Sequence, residues 1–377
     1  MKTGKPPEIE NHLAHLRERS GLSAAQLAQA AGVTRQTIYA MEAGSYVPNT
    51  AVALRLAREL GVGVEDLFKL ADEDFAPELP AVDALLLSGG EVPEPGQPVE
   101  LCRVDRHLVA AAPSPVPWYF PASDAIVSGA AAGGKTRVQV IHAPEESRNR
   151  ILVAGCDPGI SVLARHARAA GVELVLAHRN STQALELLKQ GVIHIAGTHL
   201  RDETSGESNI PQIGSLFPAN EVAVISFANW EEGILTARGN PKSVRSIEDL
   251  TWPDISIVNR EPGAGSRRLL DASLERLGIE NGNVRGYDTV ASGHLAAAWQ
   301  VRMGAADCAI ATRAAARLFG LGFIPLAAER YDLVLRRAHL DVPAIQTLLE
   351  TLSRSGFRRD LEAMGGYDTK PAGRRVM

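Results

Sequence analysis

The segment IVNREPGAGSRRLL, residues 257–270, decides how the larger part of this chain is read. The apolar run at residues 255–258 predicts a buried strand. A turn over residues 259–266 comes next, and a helix opens near Ser266 with Leu269, Leu270, Leu274 and Leu277 at helical spacing. A strand that turns through Gly263, Ala264, Gly265 and Ser266 into a helix aims free backbone N–H groups at one point. Such a point favours a small anion or a carboxylate. Arg267 and Arg268 add positive charge beside it. An ordinary connector has the same pattern, but three similar turns in the same half of the chain favour the ligand reading.

At 377 residues the chain exceeds one ordinary core, so two or three domains are expected. A hydrophobic content of 45% with 22% charged residues predicts soluble globular domains. The net charge of −5 excludes the whole chain as a non-specific polyanion binder, so any nucleic-acid contact comes from a local patch. Cys102, Cys156 and Cys308 are odd in number and far apart, which argues against a disulfide framework and for a reducing compartment. The N-terminus MKTGKPPEIENHLAHL lacks the apolar core of a signal peptide, and no run of about 18 apolar residues exists. A cytoplasmic protein without a membrane partner is expected.

Residues 9–19 carry Ile9, Leu13 and Leu16 at helical spacing, and Gly21 stops that helix. Ser23 caps a second helix at 24–30, and Gly32 gives a turn. Thr34 caps a third helix through Ala43, ended by Gly44. Residues 50–60 and 64–70 are predicted as the fourth and fifth helices. Two short helices around a tight Gly-containing turn form the helix-turn-helix pattern. The stretch GLSAAQLAQAAGVTRQTIYAMEAGSYVPNTAVALRLARELGVGVEDLF, residues 21–68, resembles the Xre/Cro-repressor type of helix-turn-helix domain. The resemblance implies that the helix after Gly32 enters the major groove of double-stranded operator DNA. Thr34, Arg35, Gln36, Thr37 and Tyr39 are then the readers, with Ser23 at the start of the preceding helix among the DNA contacts. Arg35 suits guanine, Gln36 suits adenine, and Thr37 and Tyr39 suit phosphates. The family usually has Gln immediately after the position of Ser23; Ala24 stands there, so one polar contact is lost. Residues 1–70 hold 8 Lys+Arg against 7 Asp+Glu, a net of +1, so one copy binds weakly and a homodimer is implied. A helical protein-interaction module of the same shape is the alternative.

Residues 71–98 are rich in Pro, Glu and Asp and read as a linker with one apolar patch at 84–87. Strand pairs are predicted at 99–104 with 107–112, and at 125–127 with 137–141, separated by a break at 113–121. Between the last two strands lies GAAAGGKT, residues 129–136, which matches the Walker A pattern. That mechanism needs a helix starting at Lys135, whereas residues 137–141 alternate polar and apolar. The motif is therefore read as a hairpin tip, and no nucleotide cofactor is assigned.

From residue 150 onward strands alternate with helices. Strands are predicted at 151–155, 172–177, 192–196, 221–227, 255–258, 284–287, 308–311 and 331–336. Helices are predicted at 160–170, 181–190, 244–250, 294–303, 314–319 and 342–353. The expected fold class is multidomain: an all-α head at 1–70, a linker and small β-rich connector at 71–148, a two-lobed α/β domain at 149–356 and a C-terminal tail at 357–377. The α/β part reads as two parallel-sheet units. Ligands in such sheets bind beyond the carboxyl ends of strands, where helices begin. Four turns occupy that position: 157–161, 179–182, 262–267 and 292–294. They supply Asp157, Gly159, Ser161, Asn180, Ser181, Thr182, Gly263, Gly265, Ser266, Arg267, Ser292 and His294 as candidate ligand contacts.

The segments AGCDPGISVLARH, HRNSTQALELLKQGVIHIAGTHL, NREPGAGSRRLLD, ASGHLAAAWQVRMGAADCAIA and ERYDLVL resemble the type II periplasmic-binding-protein fold. The match is to the cytoplasmic branch similar to periplasmic molybdate-binding proteins and fused to helix-turn-helix heads. It implies two lobes that close on an effector, molybdate or tungstate, held by neutral hydroxyls and amides. Ser181 and Thr182 match the hydroxyl-bearing helix start, and Ser266 and Arg267 match the Gly-rich turn. Glu329, Tyr331 and Asp332 begin a hinge strand, and Tyr331 is expected to face the cleft. Asp157 departs from the pattern, since a carboxylate repels a dianion, and this leaves a small organic metabolite as the alternative effector.

His194 and His199, with Asp202 and Glu203 nearby, have poor metal-ligand spacing and read as packing or hydrogen-bonding groups. Cys156 reads as a buried packing residue rather than a reactive thiol. Residues 201–209 are either a lid or solvated surface. No catalytic residue, metal site or resident cofactor is assigned and no enzyme is expected. An enzyme on this fold would instead use a cleft acid, and Asp157 and Glu261 are the only acids in the four turns.

Overall fold

The computed structural model describes residues 9–70, 81–89, 92–112, 123–142, 149–201 and 206–377. The chain forms two compact units, Met1–Leu79 and Pro80–Met377.

The first unit contains α1 (Leu13–Arg19), α2 (Ala24–Ala31), α3 (Arg35–Glu42), α4 (Thr50–Leu60) and α5 (Val64–Leu67). Side-chain caps start three of these helices. Ser23 and Gln26 form a capping box on α2, Thr34 accepts from the Thr37 amide on α3, and Asn49 accepts from the Val52 amide on α4. Leu13, Leu27, Ile38, Met41, Leu56 and Leu67 close the core. Two ends differ from expectation. Ile9 does not begin a helix but lies in β1 (Ile9–Asn11), and the fifth helix gives way to β2 (Phe68–Leu70). The two pair antiparallel, with Ile9 opposite Leu70, which satisfies backbone groups that a frayed helical turn would leave open.

The second unit opens with a closed five-stranded barrel in the order β3-β5-β4-β6-β7. Its strands are β3 (Ala81–Leu86), β4 (Pro98–Val104), β5 (His107–Ala111), β6 (Ala125–Val127) and β7 (Lys135–Val140). Val99, Leu101, Ala110, Val127 and Val138 fill it. The GAAAGGKT segment is the β6–β7 connection: Gly133 and Gly134 turn it with φ +57° and +74°, and Lys135 starts a strand. Without a helix at Lys135 there are no aligned amides to hold phosphates. The expected break at 113–121 and part of the linker lie outside the described residues. Arg150, at the start of the next strand, ties the barrel to the rest of the unit by donating to Asp124 Oδ2 (2.5 Å) and the Leu101 carbonyl (2.8 Å).

The remainder is a nine-stranded sheet with the order β13-β12-β14-β11-β15-β10-β8-β9, and β16 beside β11. One lobe has β8 (Arg150–Gly155), β9 (Glu173–His178) and β10 (Ile195–Thr198), with α6 (Ile160–Ala169), α7 (Ser181–Gln190) and α8 (Ile210–Leu216). The other has β12 (Ile257–Arg260), β13 (Val290–Ala291) and β14 (Cys308–Thr312), with α9 (Gly265–Leu277), α10 (His294–Arg302) and α11 (Arg313–Phe319). Strand pairs within each lobe are parallel, as expected. The lobes are joined by β11 (Val222–Thr236) and β15 (Gly322–Arg336), an antiparallel pair of 15 residues each that serves both. This replaces the two separate parallel sheets expected. The polar middles of both strands, Asn229 to Glu232 and Glu329-Arg330, interrupt the apolar pattern and hid their continuation.

Three further differences are local. The helix expected at 244–250 is a short 3₁₀ turn, Glu248–Thr251, and the strand expected at 284–287 is instead β13. Residues 357–377 are not an appended tail. After α12 (Pro343–Ser353), α13 (Ser355–Ala363) and β16 (Tyr367–Asp368) put Phe357, Leu361 and Tyr367 into the core of the first lobe.

Candidate ligand-binding site

Three of the four turns, 179–182, 262–267 and 292–294, meet, and the turn at 157–161 packs on Tyr367 and Leu361. Asn180 Nδ2 donates to the Pro262 carbonyl and Thr182 Oγ1 to the Gly263 carbonyl, both at 3.2 Å, so the start of α7 touches the Gly-rich turn across the lobes. Two glycines allow this approach. A Cβ on Gly265 would lie 2.4 Å from the His199 ring, and one on Gly293 2.6 Å from His178 Nε2. The Gly293 amide also donates to Glu261 at 3.4 Å. The space between the turns is occupied by side chains, of which only Trp230 and Glu232 lie outside the segments quoted from the sequence.

At the centre His199, just past β10, sits with Nε2 3.4 Å from Cys156 Sγ and Nδ1 2.8 Å from Glu329 Oε2. Glu232, on β11, accepts from Ser266 Oγ at 3.0 Å, and its Oε1 lies 3.7 Å from His199 Nδ1 and 3.8 Å from His294 Nε2. Trp230 stands edge-on to both imidazoles, 4.7 Å from His199 and 5.1 Å from His294. Arg260, at the end of β12, makes a two-pronged pair with Glu261 at 2.9 and 3.1 Å. Cys156, His199, Trp230, Glu232, Arg260 and His294 are all buried.

Ten buried side-chain polar atoms among the described residues lack a hydrogen-bond partner, and seven belong to this cluster: Asp157 Oδ2, His178 Nε2, Trp230 Nε1, Glu232 Oε2, Arg260 Nη1 and both ring nitrogens of His294. Native interiors satisfy nearly all such groups, so a concentration at one place marks a site rather than a core. The electrostatics agree. Burial, with the Glu329 charge beside it, pushes Glu232 up to about 7. Burial raises Asp157 to about 6, against the Tyr367 hydroxyl and the Gly159 amide that hold its Oδ1. Burial and Arg260 lower His178 to about 4 and hold His294 well below the imidazole range. His199 lies well above that range: burial opposes its charge, but Cys156, Glu329 and Glu232 outweigh burial. Shifts in both directions within one cluster are a mark of functional sites.

The candidates named from the sequence divide. Asp157, Gly159, Asn180, Ser181, Gly265, Ser266 and His294 are buried around the cluster, with Ser181 Oγ accepting from the His199 amide at 3.1 Å. Gly263 adopts φ +90° against Asn180 and Thr182. Thr182 is exposed and bound to Gly263, Ser161 is exposed and tied to the Pro158 carbonyl, and Ser292 is exposed. Arg267 turns away onto the Tyr287 ring and the Arg260 carbonyl, so the buried positive charge is that of Arg260. Tyr331 packs its hydroxyl against Gly155 and Gly197 instead of an open cleft. His194 accepts from the Leu152 amide, as a structural histidine does, whereas His199 is central. Asp202 and Glu203 lie outside the described residues. Arg260 stood inside the opening segment but read as part of the turn, Glu329 read as the start of the hinge strand, and Trp230 and Glu232 had no sequence signal beyond a charge in an apolar strand.

A cavity of about 650 Å³ opens over the middle of β11 and β15. Asn229, Trp230, Glu329, Arg330 and Tyr367 help line it, so it reaches the cluster from the hinge side. Its size suits a small solute.

In the first unit, Ser23, Thr34, Arg35, Gln36 and Tyr39 are exposed and Thr37 is half-buried. Arg35 donates to the Tyr39 hydroxyl at 2.9 Å, and Thr34 and Thr37 share a hydroxyl bond of 2.8 Å. Ala24, where the repressor family usually has Gln, is buried.

This is a two-lobed binding-protein domain joined to a helix-turn-helix unit. The description of a PBP superfamily domain matches residues 164–353 and that of a helix-turn-helix domain matches residues 11–69. The chain belongs to the PBP superfamily. It is 32% identical over 240 residues to the protein YvgK of Bacillus subtilis (strain 168), covering 63% of this chain and 77% of that one. It is 35% identical over 109 residues to a protein from the ferredoxin 2Fe-2S gene 5′ region of Clostridium pasteurianum, covering 29% of this chain and 96% of that one. The head is similar to an HTH-type transcriptional regulator of Methanothermobacter thermautotrophicus, with 51% identity over 61 residues, 16% of this chain and 87% of that one. Among the described residues no helix is long and apolar enough to cross a membrane.

Proposed function

We propose that this protein is a ligand-responsive transcription regulator that works in the cytoplasm as a homodimer, its Xre/Cro-type head reading operator DNA and its two-lobed domain sensing a small solute. The observation that carries the sensing role is the set of seven unpartnered buried polar atoms between the lobes. Each costs about 1–3 kcal/mol when left unmade, so a solute that satisfies them gains affinity from closure. Trp230 Nε1 and Arg260 Nη1 are donors awaiting an acceptor, and Ser181 and Ser266 bring hydroxyls to the same place. An oxyanion such as molybdate or tungstate meets these donors and is the first reading. Asp157 Oδ2 and Glu232 Oε2 are acceptors, which favours a second reading: a small organic metabolite with both an acidic and a basic group. Binding rather than catalysis is proposed. The solute biases DNA binding through its differential affinity for two arrangements of the chain.

Calorimetric titration of the full chain with molybdate, tungstate, sulfate and a panel of amino-acid-like metabolites tests this. Heat with molybdate or tungstate supports the oxyanion reading, and heat only with the zwitterions supports the second. No heat from any of them contradicts the sensing role.

A further inference from the structure

The donors of the cluster call for an anion, but its nitrogen, sulfur and carboxylate acceptors do not. We propose that Cys156, His199 and His294 form a three-ligand site, its fourth position left to a solvent or solute atom, for one divalent transition-metal ion of the zinc type. The inference concerns this chain's own residues and does not rest on the DNA-binding reading.

Ligand atoms of Cys156, His199 and His294 all lie within 4.8 Å of one another. In a tetrahedral site with metal–sulfur and metal–nitrogen bonds near 2.3 and 2.0 Å, ligand atoms are about 3.2–3.8 Å apart. Cys156 Sγ and His199 Nε2 are 3.4 Å apart, inside that range. His294 is buried with neither ring nitrogen hydrogen-bonded, and Glu232 Oε2 is likewise free of partners. These are side chains aimed into the cluster with nothing to bind. His199 has the arrangement of a metal-ligating imidazole: Nε2 faces Cys156, while Nδ1 is held 2.8 Å from Glu329 Oε2. A carboxylate behind a ligand histidine fixes the tautomer and orients the ring, so Glu329 is a positioning residue.

The donor set selects the ion. Thiolate and imidazole suit zinc, cobalt and nickel rather than magnesium or calcium, which prefer oxygen. One thiolate and two neutral imidazoles leave one positive charge on a divalent ion, and the Glu232 carboxylate, with Oε1 3.8 Å from His294 Nε2, offsets it from beside the site. The nearby Arg260 charge is countered separately by Glu261. Cys156 and His199 belong to the first lobe and His294 to the second, so the ion joins the lobes and gives His294 the partner it lacks. The two donors, Trp230 and Arg260, stay available for an anionic solute.

The test uses the full chain, reduced and stripped with a chelator, then titrated with Co²⁺ and followed by absorbance. A thiolate-to-cobalt charge-transfer band is expected, saturating at a single equivalent and displaced by Zn²⁺. Cys156→Ser and His294→Gln should abolish the band, whereas Cys102→Ser and Cys308→Ser, buried elsewhere, should retain it. Circular dichroism checks that each variant folds, and the His294 variant serves where the Cys156 variant does not. Glu329→Gln should weaken binding about 10–100-fold without changing the stoichiometry. No band in the natural chain, or a band that survives in Cys156→Ser, overturns the site; unchanged affinity in Glu329→Gln overturns the role given to Glu329. Failure of the solute calorimetry leaves the cobalt band unaffected, so the two readings fail separately.

Discussion

Replacing His294 by Leu should make the ligand-free protein more stable, which is unusual for a buried position. His294 is 1% exposed at the first turn of α10, and neither ring nitrogen has a hydrogen-bond partner. Burial and the neighbouring Arg260 keep the ring neutral, so it carries one unmet donor and one unmet acceptor. At about 1–3 kcal/mol each, these cost the folded state about 2–6 kcal/mol. Leu has no polar atoms and a favourable helix propensity, and imperfect fit of its shape takes back about 1–3 kcal/mol. The expected net gain is about 2 kcal/mol, the difference between the middles of those two ranges. For a unit of roughly 300 residues, with an unfolding entropy near 2.1 cal/mol/K per residue, that raises the midpoint by about 3 °C. Thermal unfolding by circular dichroism, in chelator and without added solute, measures it. The same variant should lose whatever stabilisation the natural chain gains from added Co²⁺ or effector. A midpoint lowered by His294→Leu refutes the reasoning, since it means that the imidazole nitrogens are satisfied and the cluster is ordinary core.

Other outcomes rest on the same structure. Arg35→Ala should remove sequence-specific binding to an operator selected from genomic fragments, measured by fluorescence anisotropy, while effector calorimetry stays unchanged; retained specificity would mean that α3 is not the reading helix. His194 is pushed down to about 4 by burial, and its Nδ1 is occupied by the Leu152 amide. The unfolded chain therefore binds a proton between about pH 6.5 and 4 that the folded chain refuses, so stability is present above that range and falls by up to about 3 kcal/mol as pH drops through it. Urea titrations of the natural chain and His194→Gln across that range should show a smaller loss in the variant; parallel curves would show that His194 accepts its proton in place. Phe357 is fully buried among residues of the first lobe, so Phe357→Ala should destabilise by about 3–5 kcal/mol by urea unfolding, whereas a dispensable tail predicts no change.

The helix starts were legible because caps are local: Ser23 with Gln26, Thr34 with Thr37, and Asn180 with Gln183 each close within three residues. The GAAAGGKT segment was legible for the same reason, since the alternating residues after Lys135 exclude a helix. The hinge strands were half legible. Their apolar ends were plain, but Glu231, Glu232, Glu329 and Arg330 broke the pattern in the middle, where the strands cross between the lobes. Of these, Glu232 and Glu329 turn to the cluster, while Glu231 pairs with Arg313 and Arg330 with Asp332. What a single sequence cannot carry is the pairing itself. Cys156, His199, Glu232, Arg260, His294 and Glu329 come from six separate segments, and only the topology brings them within a few ångströms. The turn residues named from the sequence frame this cluster, while Ser161 and Ser292 stay at the surface because each sits on the outer side of its turn. Arg267 was selected for its place in the Gly-rich turn; one helical position sends it to Tyr287, and Arg260 supplies the buried charge instead.

The claim that a filled interlobe cluster changes how the head holds DNA is tested most directly by the operator affinity of the full chain, measured by fluorescence anisotropy at fixed salt with and without the solute that gives calorimetric heat. The account predicts a shift of about 5–150-fold in Kd, the usual size of coupling between two sites, and no shift in the full-length Arg260→Met, Trp230→Phe double variant. Superimposable binding curves for the natural chain, at solute concentrations that saturate the calorimetric signal, would contradict it.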